Sequence, residues 1–269
     1  MRLFLINCFF FLSVHLIAQP NCNVYLWNGD TAQYKACQYL ESNIEKYYQF
    51  SKNFHLVIDS ALLICPRFAY AYREKSAPFV KSGNFTEWKK NIDLAVTYDS
   101  LVYLPVRASL RYKFFADYEG TIADIELLER LSPNLVEYSS NGTYHLEVVK
   151  ALCYKQIGNN DKALAILEKH LLTNKVTPGL YDYLHLAVLY LQAGRYREAE
   201  QFFLLQNEAY EYADTYFYLA KCYKAQNKMD AFLESKNKSS QLYLNGQKLT
   251  DPYNELIDQV YLSDIESLK

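Results

Sequence analysis

The chain has 269 residues, 51% of them hydrophobic and 16% aromatic, enough apolar material for a sizeable core in one or two domains and too much for a disordered chain. With only 8 Gly and 7 Pro, it is poor in the turn residues of a many-stranded β fold, so a mostly helical protein is expected. A net charge of −2 and an isoelectric point of about 6.2 leave no global basic field to gather phosphates, which sets nucleic-acid binding aside.

The first residues, MRLFLINCFFFLSVHLIAQPNC, carry one charge at Arg2, an apolar run from Leu3 to Val14, and small or polar residues around Ala18 and Gln19. This layout predicts a secretory signal peptide over residues 1–18. The run is short for a membrane-spanning helix, which needs roughly 17–25 residues, and His15 interrupts it. Asn7 precedes Cys8 and Asn21 precedes Cys22, where a lipid-anchor signal needs a small residue. Residues 19–30 read as an N-terminal extension. The mature chain keeps Cys22, Cys37, Cys65, Cys153 and Cys222 with no C-x-x-C or metal-ligand spacing, so no metal is expected. A Cys22–Cys37 disulfide and buried single thiols are both open readings.

From residue 31 the chain reads as helix pairs. ACQYLESNIEKYYQFSKNFHLVIDSALLICP has a clear second helix ending near Ala61 and Pro66, but a first helix of irregular register. The next unit places Ser76, Phe79, Gly83, Trp88, Ile92 and Ala95, and its successor places Ser109, Tyr112, Thr121, Ile125 and Leu128 in the same slots 33 residues on. SPNLVEYSSNGT then interrupts the period, and an insertion is expected near residues 132–143; it is either tolerated surface length or a partner-contacting loop. Ala151, Tyr154, Gly158, Ala163 and Leu167 resume the pattern, and Ala187, Tyr190, Gly194, Ala199 and Phe203 repeat it 36 residues later. The last unit has Ala220 and Tyr223 in place, with Ala231 off register. Apolar residues at intervals of three and four on both sides of a Gly or Asn predict two amphipathic helices and a tight turn per unit. The small residue lets the helices approach, and the aromatic three residues later lies on the same face and fills the gap between units. Residues 246–269, opening on Asp251-Pro252 with Leu256, Val260 and Tyr261 at helical spacing, are expected to form a capping helix.

This repeat resembles the tetratricopeptide-repeat family, in its exported bacterial type, whose units are about 34 residues long. The resemblance covers most of residues 31–245. It implies an all-α fold, a right-handed α-solenoid of about six helix pairs with a C-terminal capping helix. It also implies a non-catalytic protein-interaction scaffold of the periplasm or outer cell envelope, binding a partner segment in a concave groove lined by the first helix of each unit. The family's layout puts Tyr70, Arg73 and Lys81, then Tyr103, Arg107 and Lys113, then His145 and Lys155, then Tyr181 and His185, and finally Phe217, Lys221 and Lys224 in that groove. The family's carboxylate clamp of paired Lys and Asn is not reproduced, since Arg73 stands with Ala77 and His145 with Val149.

Lys113, Lys155 and Lys224 occupy one equivalent slot and are expected in a row. That row is either a track for an acidic peptide or a set of solvated charges complementing helix C-termini. The 26 Tyr raise an alternative, an exported glycan- or small-ligand-binding protein that stacks its ligand on groove aromatics, for which Tyr103, Tyr181 and Phe217 must be exposed together. Tyr112, Tyr154, Tyr190 and Tyr223 sit in the packing slot and are not available for that role. No G-x-S-x-G, H-E-x-x-H or phosphate-cradling glycine loop is present, so neither an enzyme nor a cofactor is expected.

Overall fold

The computed structural model describes residues 20–133, 138–174 and 176–269; the expected signal peptide lies outside them. Fourteen helices occur among the described residues and no sheet. Contacts divide the chain into two units, Met1–Lys75 and Ser76–Lys269.

In the first unit, α1 (Asn23–Trp27) leads into α2 (Thr31–Asn43) and α3 (Lys52–Ile64). Asp30 caps α2 by accepting from the Gln33 amide at 3.0 Å, and Ser51 caps α3 by accepting from Phe54 at 3.2 Å. Ala36, Leu40, Ile58, Ala61 and Phe68 form its buried core. Cys22 and Cys37 are joined in a disulfide, while Cys65, Cys153 and Cys222 are buried free thiols; the two readings of the cysteines thus apply to different residues.

The division between units falls within α4 (Ala69–Lys81). The second unit continues with α5 (Phe85–Tyr98), α6 (Ser100–Leu110), α7 (Tyr118–Leu131), α8 (Leu146–Gln156), α9 (Asn160–Glu168), α10 (Asp182–Gln192), α11 (Tyr196–Ala209), α12 (Ala213–Ala225), α13 (Met229–Leu244) and the short α14 (Leu262–Ser267). Helices α6 and α9 run on into π-helical turns at Arg111–Phe115 and Lys169–Thr173. The small-residue slots Ser76, Ser109, Ala151, Ala187 and Ala220 are all buried, and Trp88, Ala163, Ala199 and Phe203 oppose them with no exposed surface.

The turns recur in the left-handed backbone region at Gly83, Ala116, Gly158, Gly194 and Asn227, with φ of 69°, 49°, 82°, 72° and 58°. Glycine adopts this region without steric cost; Ala116 does not. The last repeat is in register after all: Phe232, 3% exposed, takes the slot of Ala199 33 residues earlier, and Ala231 lies beside it. The 138–145 stretch, the described end of the insertion, turns inward: Ser139 is buried, the Ser140 amide donates to Ser109 Oγ at 2.7 Å, and Tyr144 is 3% exposed.

Beyond α13 the backbone is not one long helix. Residues 245–261 run irregularly, with Asp258 in the left-handed region at φ 67°, before α14 forms. Asp251-Pro252 opens no helix here: the amides of Leu249 and Val260 donate to Asp214 on α12, that of Tyr253 to the Asp251 carboxylate and that of Leu256 to the Gln259 side chain.

Candidate functional site

The tail from Leu249 to Lys269 lies along the first helices of successive pairs. Asp214, at the start of α12, is buried and accepts from the amides of Leu249 and Val260, each at 2.7 Å. One carboxylate thus closes the loop at both ends. The Ala213 amide donates to the Gln247 carbonyl at 2.8 Å, which fixes where the tail leaves α13. Burial pushes the Asp214 carboxyl up to about 6, against the lowering effect of the two amides.

Within the loop, Asp251 accepts from Lys113 Nζ at 2.6 Å, and Tyr253 packs its ring on Phe114 with centroids 6.3 Å apart. Asp258 reaches deepest. Its Oδ1 accepts from Lys155 Nζ at 2.5 Å and its Oδ2 lies 2.7 Å from His185 Nδ1. His185 is fully buried, and its Nε2 lies 3.2 Å from the Tyr144 hydroxyl. The network is satisfied when Nδ1–H donates to Asp258 and Tyr144 donates to Nε2. Burial alone raises the Asp258 carboxyl, but Lys155 and His185 together hold it below the ordinary carboxylate value; Asp251 is likewise lowered, against burial, by Lys113. Further along, Val260 and Ile265 pack with Phe217 in a small buried cluster. Lys236 donates to the Leu268 carbonyl at 2.5 Å, and Lys224 donates to the carbonyl oxygen of Lys269.

Each lysine of the expected row meets the chain's own tail: Lys113 and Lys155 a carboxylate, Lys224 a backbone oxygen. His185 joins them. Lys221 remains exposed at the surface of α12, its ammonium 5.5 Å from the Phe217 ring.

Other candidates do different work. Arg107 points into the layer, donating to both oxygens of Asp124 on α7 at 2.6 and 2.9 Å and to Asp93 on α5 at 2.6 Å. His145 caps α8 by accepting from the Glu147 amide at 3.0 Å and packs on His170, and burial lowers its pKa. In the first unit Tyr70 packs half-buried against Phe68, and the exposed Arg73 pairs with its neighbour Glu74. Lys81 is exposed at the end of α4. Tyr103, Tyr181 and Phe217 are each less than a tenth exposed. Tyr181 packs between Tyr144 and Tyr212, and Phe217 lies under the tail. They do not form an exposed cluster.

The residues that sequence reasoning missed are Asp214, Asp251, Asp258 and Tyr144. None occupies a slot of the repeat pattern: Asp214 lies at the start of α12, Tyr144 at the end of the insertion, and Asp251 and Asp258 in the stretch read as a capping helix.

No family model matches the chain, and no curated protein matches its sequence. Solved structures do match its fold. A tetratricopeptide repeat protein from Parabacteroides merdae shares 18% identity at a TM-score of 0.58, over 78% of this chain and 80% of its own. PilW, a type IV pilus biogenesis factor, shares 16% identity at 0.55 over 91% and 95%. PilF of Pseudomonas aeruginosa shares 18% identity at 0.54 over 80% and 91%. The chain has the tetratricopeptide-repeat fold. Its tetratricopeptide turns are those at Gly83, Ala116, Gly158, Gly194 and Asn227, and the tail lies on the side built from the first helix of each repeat.

Proposed function

We propose that the protein is a non-catalytic interaction scaffold of the cell envelope that holds an acidic segment on the first helices of its repeats. One observation carries the reading: Lys113, Lys155, His185 and Asp214, drawn from four successive helical layers, converge on one extended segment and read two carboxylates and two backbone amides. This is recognition of a peptide by charge and backbone, and it uses side chains that a repeat framework does not need for its own packing. The Cys22–Cys37 disulfide supports an oxidising compartment and hence export. No helix among the described residues is long and apolar enough to cross a membrane. PilW, of similar fold, is named as a pilus biogenesis factor, which agrees with an envelope role.

The test is photo-crosslinking in the host envelope, with a photoreactive side chain at Lys221 on the first-helix side or at Leu233 on exposed α13. One discrete protein crosslinked from position 221 and not from 233 is the expected result. Equal, diffuse labelling from both positions refutes the reading.

A further inference from the structure

We propose that the docked tail is an intramolecular stand-in for the partner: the first-helix face takes in trans an extended segment with two carboxylates seven residues apart and an aliphatic residue two positions after the second, and this segment displaces residues 249–260. The inference rests on the scaffold reading and names its ligand chemistry.

The tail's contacts are of a kind that any such segment reproduces. Lys113 and Lys155 read carboxylates at positions 251 and 258, Asp214 reads only backbone, and Phe217 receives an aliphatic side chain at 260. The spacing, together with the buried aliphatic side chains at 249 and 256, supplies the specificity.

The tail is also held in a costly way. A permanent cap is built most simply from apolar packing and a regular helix. Here the chain buries Leu249, Leu256, Val260 and Ile265 but forms no regular helix before α14, and it adds an ion pair whose side chains are 7% and 6% exposed, the buried Asp214 carboxylate and a non-glycine residue at φ 67°. Each addition specifies an arrangement while adding little net stability. The joint with α13 is short and built to turn, residues 245–248 with Gly246 at φ 79°, so the tail can leave the face without breaking α13.

The fit is incomplete as well. A cavity of about 180 Å³ remains between the tail and the 138–145 loop, lined by Tyr112, Phe114, Tyr144, Tyr253 and Leu256 beside the Lys113–Asp251 pair. A cavity of this size and lining accommodates one aromatic ring. The partner segment is therefore expected to carry an aromatic residue close after its first carboxylate that fills this space better than Tyr253, which stays 75% exposed.

A tethered tail competes at an effective concentration on the order of millimolar, so a free copy of the same segment binds the parent poorly. The experiment titrates a fluorescent peptide of residues 247–269 into the full mature chain and into the same chain carrying Asp251→Asn and Asp258→Asn. At least tenfold tighter binding to the variant is expected, with loss of that gain when Lys113→Gln and Lys155→Gln are added. Excess unlabelled peptide is expected to speed hydrogen exchange of the parent's own 249–260 amides. Should the asparagine variant fold poorly, a protease site placed after Gly246 in the otherwise unaltered chain gives a nicked protein whose own tail exchanges with the labelled peptide. No gain in a folded variant and no exchange in the nicked chain overturn the proposal. If position 221 still crosslinks one envelope protein in that case, tail exchange fails and the scaffold stands; if it does not, both fall.

Discussion

Replacing Asp258 by Asn removes the charge at the centre of the tail's contacts while keeping its shape, and Asn tolerates the left-handed backbone as well as Asp does. The variant leaves the Lys155 ammonium, whose side chain is 7% exposed, without its 2.5 Å counter-ion, and replaces the carboxylate that His185 Nδ1 meets at 2.7 Å. Removing one member of a buried pair costs about 3–5 kcal/mol. For a unit of this size that lowers the melting temperature on the order of 10 °C. On the proposed docking, in which the tail leaves while the repeats stay folded, the measured loss has the free energy of tail docking as its ceiling. Urea denaturation of the parent, Asp258→Asn, Lys155→Met and the double variant measures it. Each single change is expected to be costly and the double to cost well under their sum, with a coupling above about 1.5 kcal/mol, since the double leaves no buried charge unpaired. Single variants within 0.5 kcal/mol of the parent, or additive costs, refute the reasoning.

The same tail makes stability depend on pH in two opposite windows. Asp214, raised to about 6 by burial, binds its proton more tightly in the folded chain, so its contribution grows as pH falls from about 6 toward 4. Asp251 and Asp258 are lowered, so their contribution is present above the ordinary carboxylate value and is lost as pH falls through their folded values. Burial lowers His145 and takes His170 down to about 4, so both histidines lose stability over the same acid range; the Asp214 contribution is therefore read by difference, the parent's denaturation midpoint being expected to gain on that of Asp214→Asn between pH 7 and 5, and a gap that does not change with pH contradicts this. Ala116→Gly relieves a left-handed alanine at φ 49° and is expected to stabilise the chain by up to about 1 kcal/mol, with a destabilised variant as the contrary result. Breaking the Cys22–Cys37 disulfide, which joins residues 15 apart, is expected to cost the first unit about 3 kcal/mol on the loop-closure account, read as a lower urea midpoint under reductant; an unchanged midpoint contradicts it.

The repeat phase was legible because it is imposed by packing. Ser109, Ala151, Ala187 and Ala220 must be small where helices touch, and Gly83, Gly158 and Gly194 must turn left-handed, so identity follows position. Ala116 shows the limit, since its turn follows a π-helical end that no residue type announces. The lysine row was legible as equivalent slots, but what it meets was not. Asp251 and Asp258 lie far away in sequence, in a stretch whose helical spacing at Leu256 and Val260 suggested a capping helix. There the buried Asp214 captures the amides of Leu249 and Val260, and tertiary contacts override local periodicity. Arg107 read as a groove residue for a related reason: its slot faces that side, but its length lets the guanidinium fold back to Asp124.

The central claim is that the first-helix face holds the tail as a bound segment. Native-state hydrogen exchange at the amides of Leu249 and Val260, both donated to Asp214, tests it most directly. The account predicts that the two amides are protected together, far above the rate of an unstructured chain, and that Asp214→Ala releases both at once. Exchange of both amides at the unstructured rate in the parent chain would contradict it.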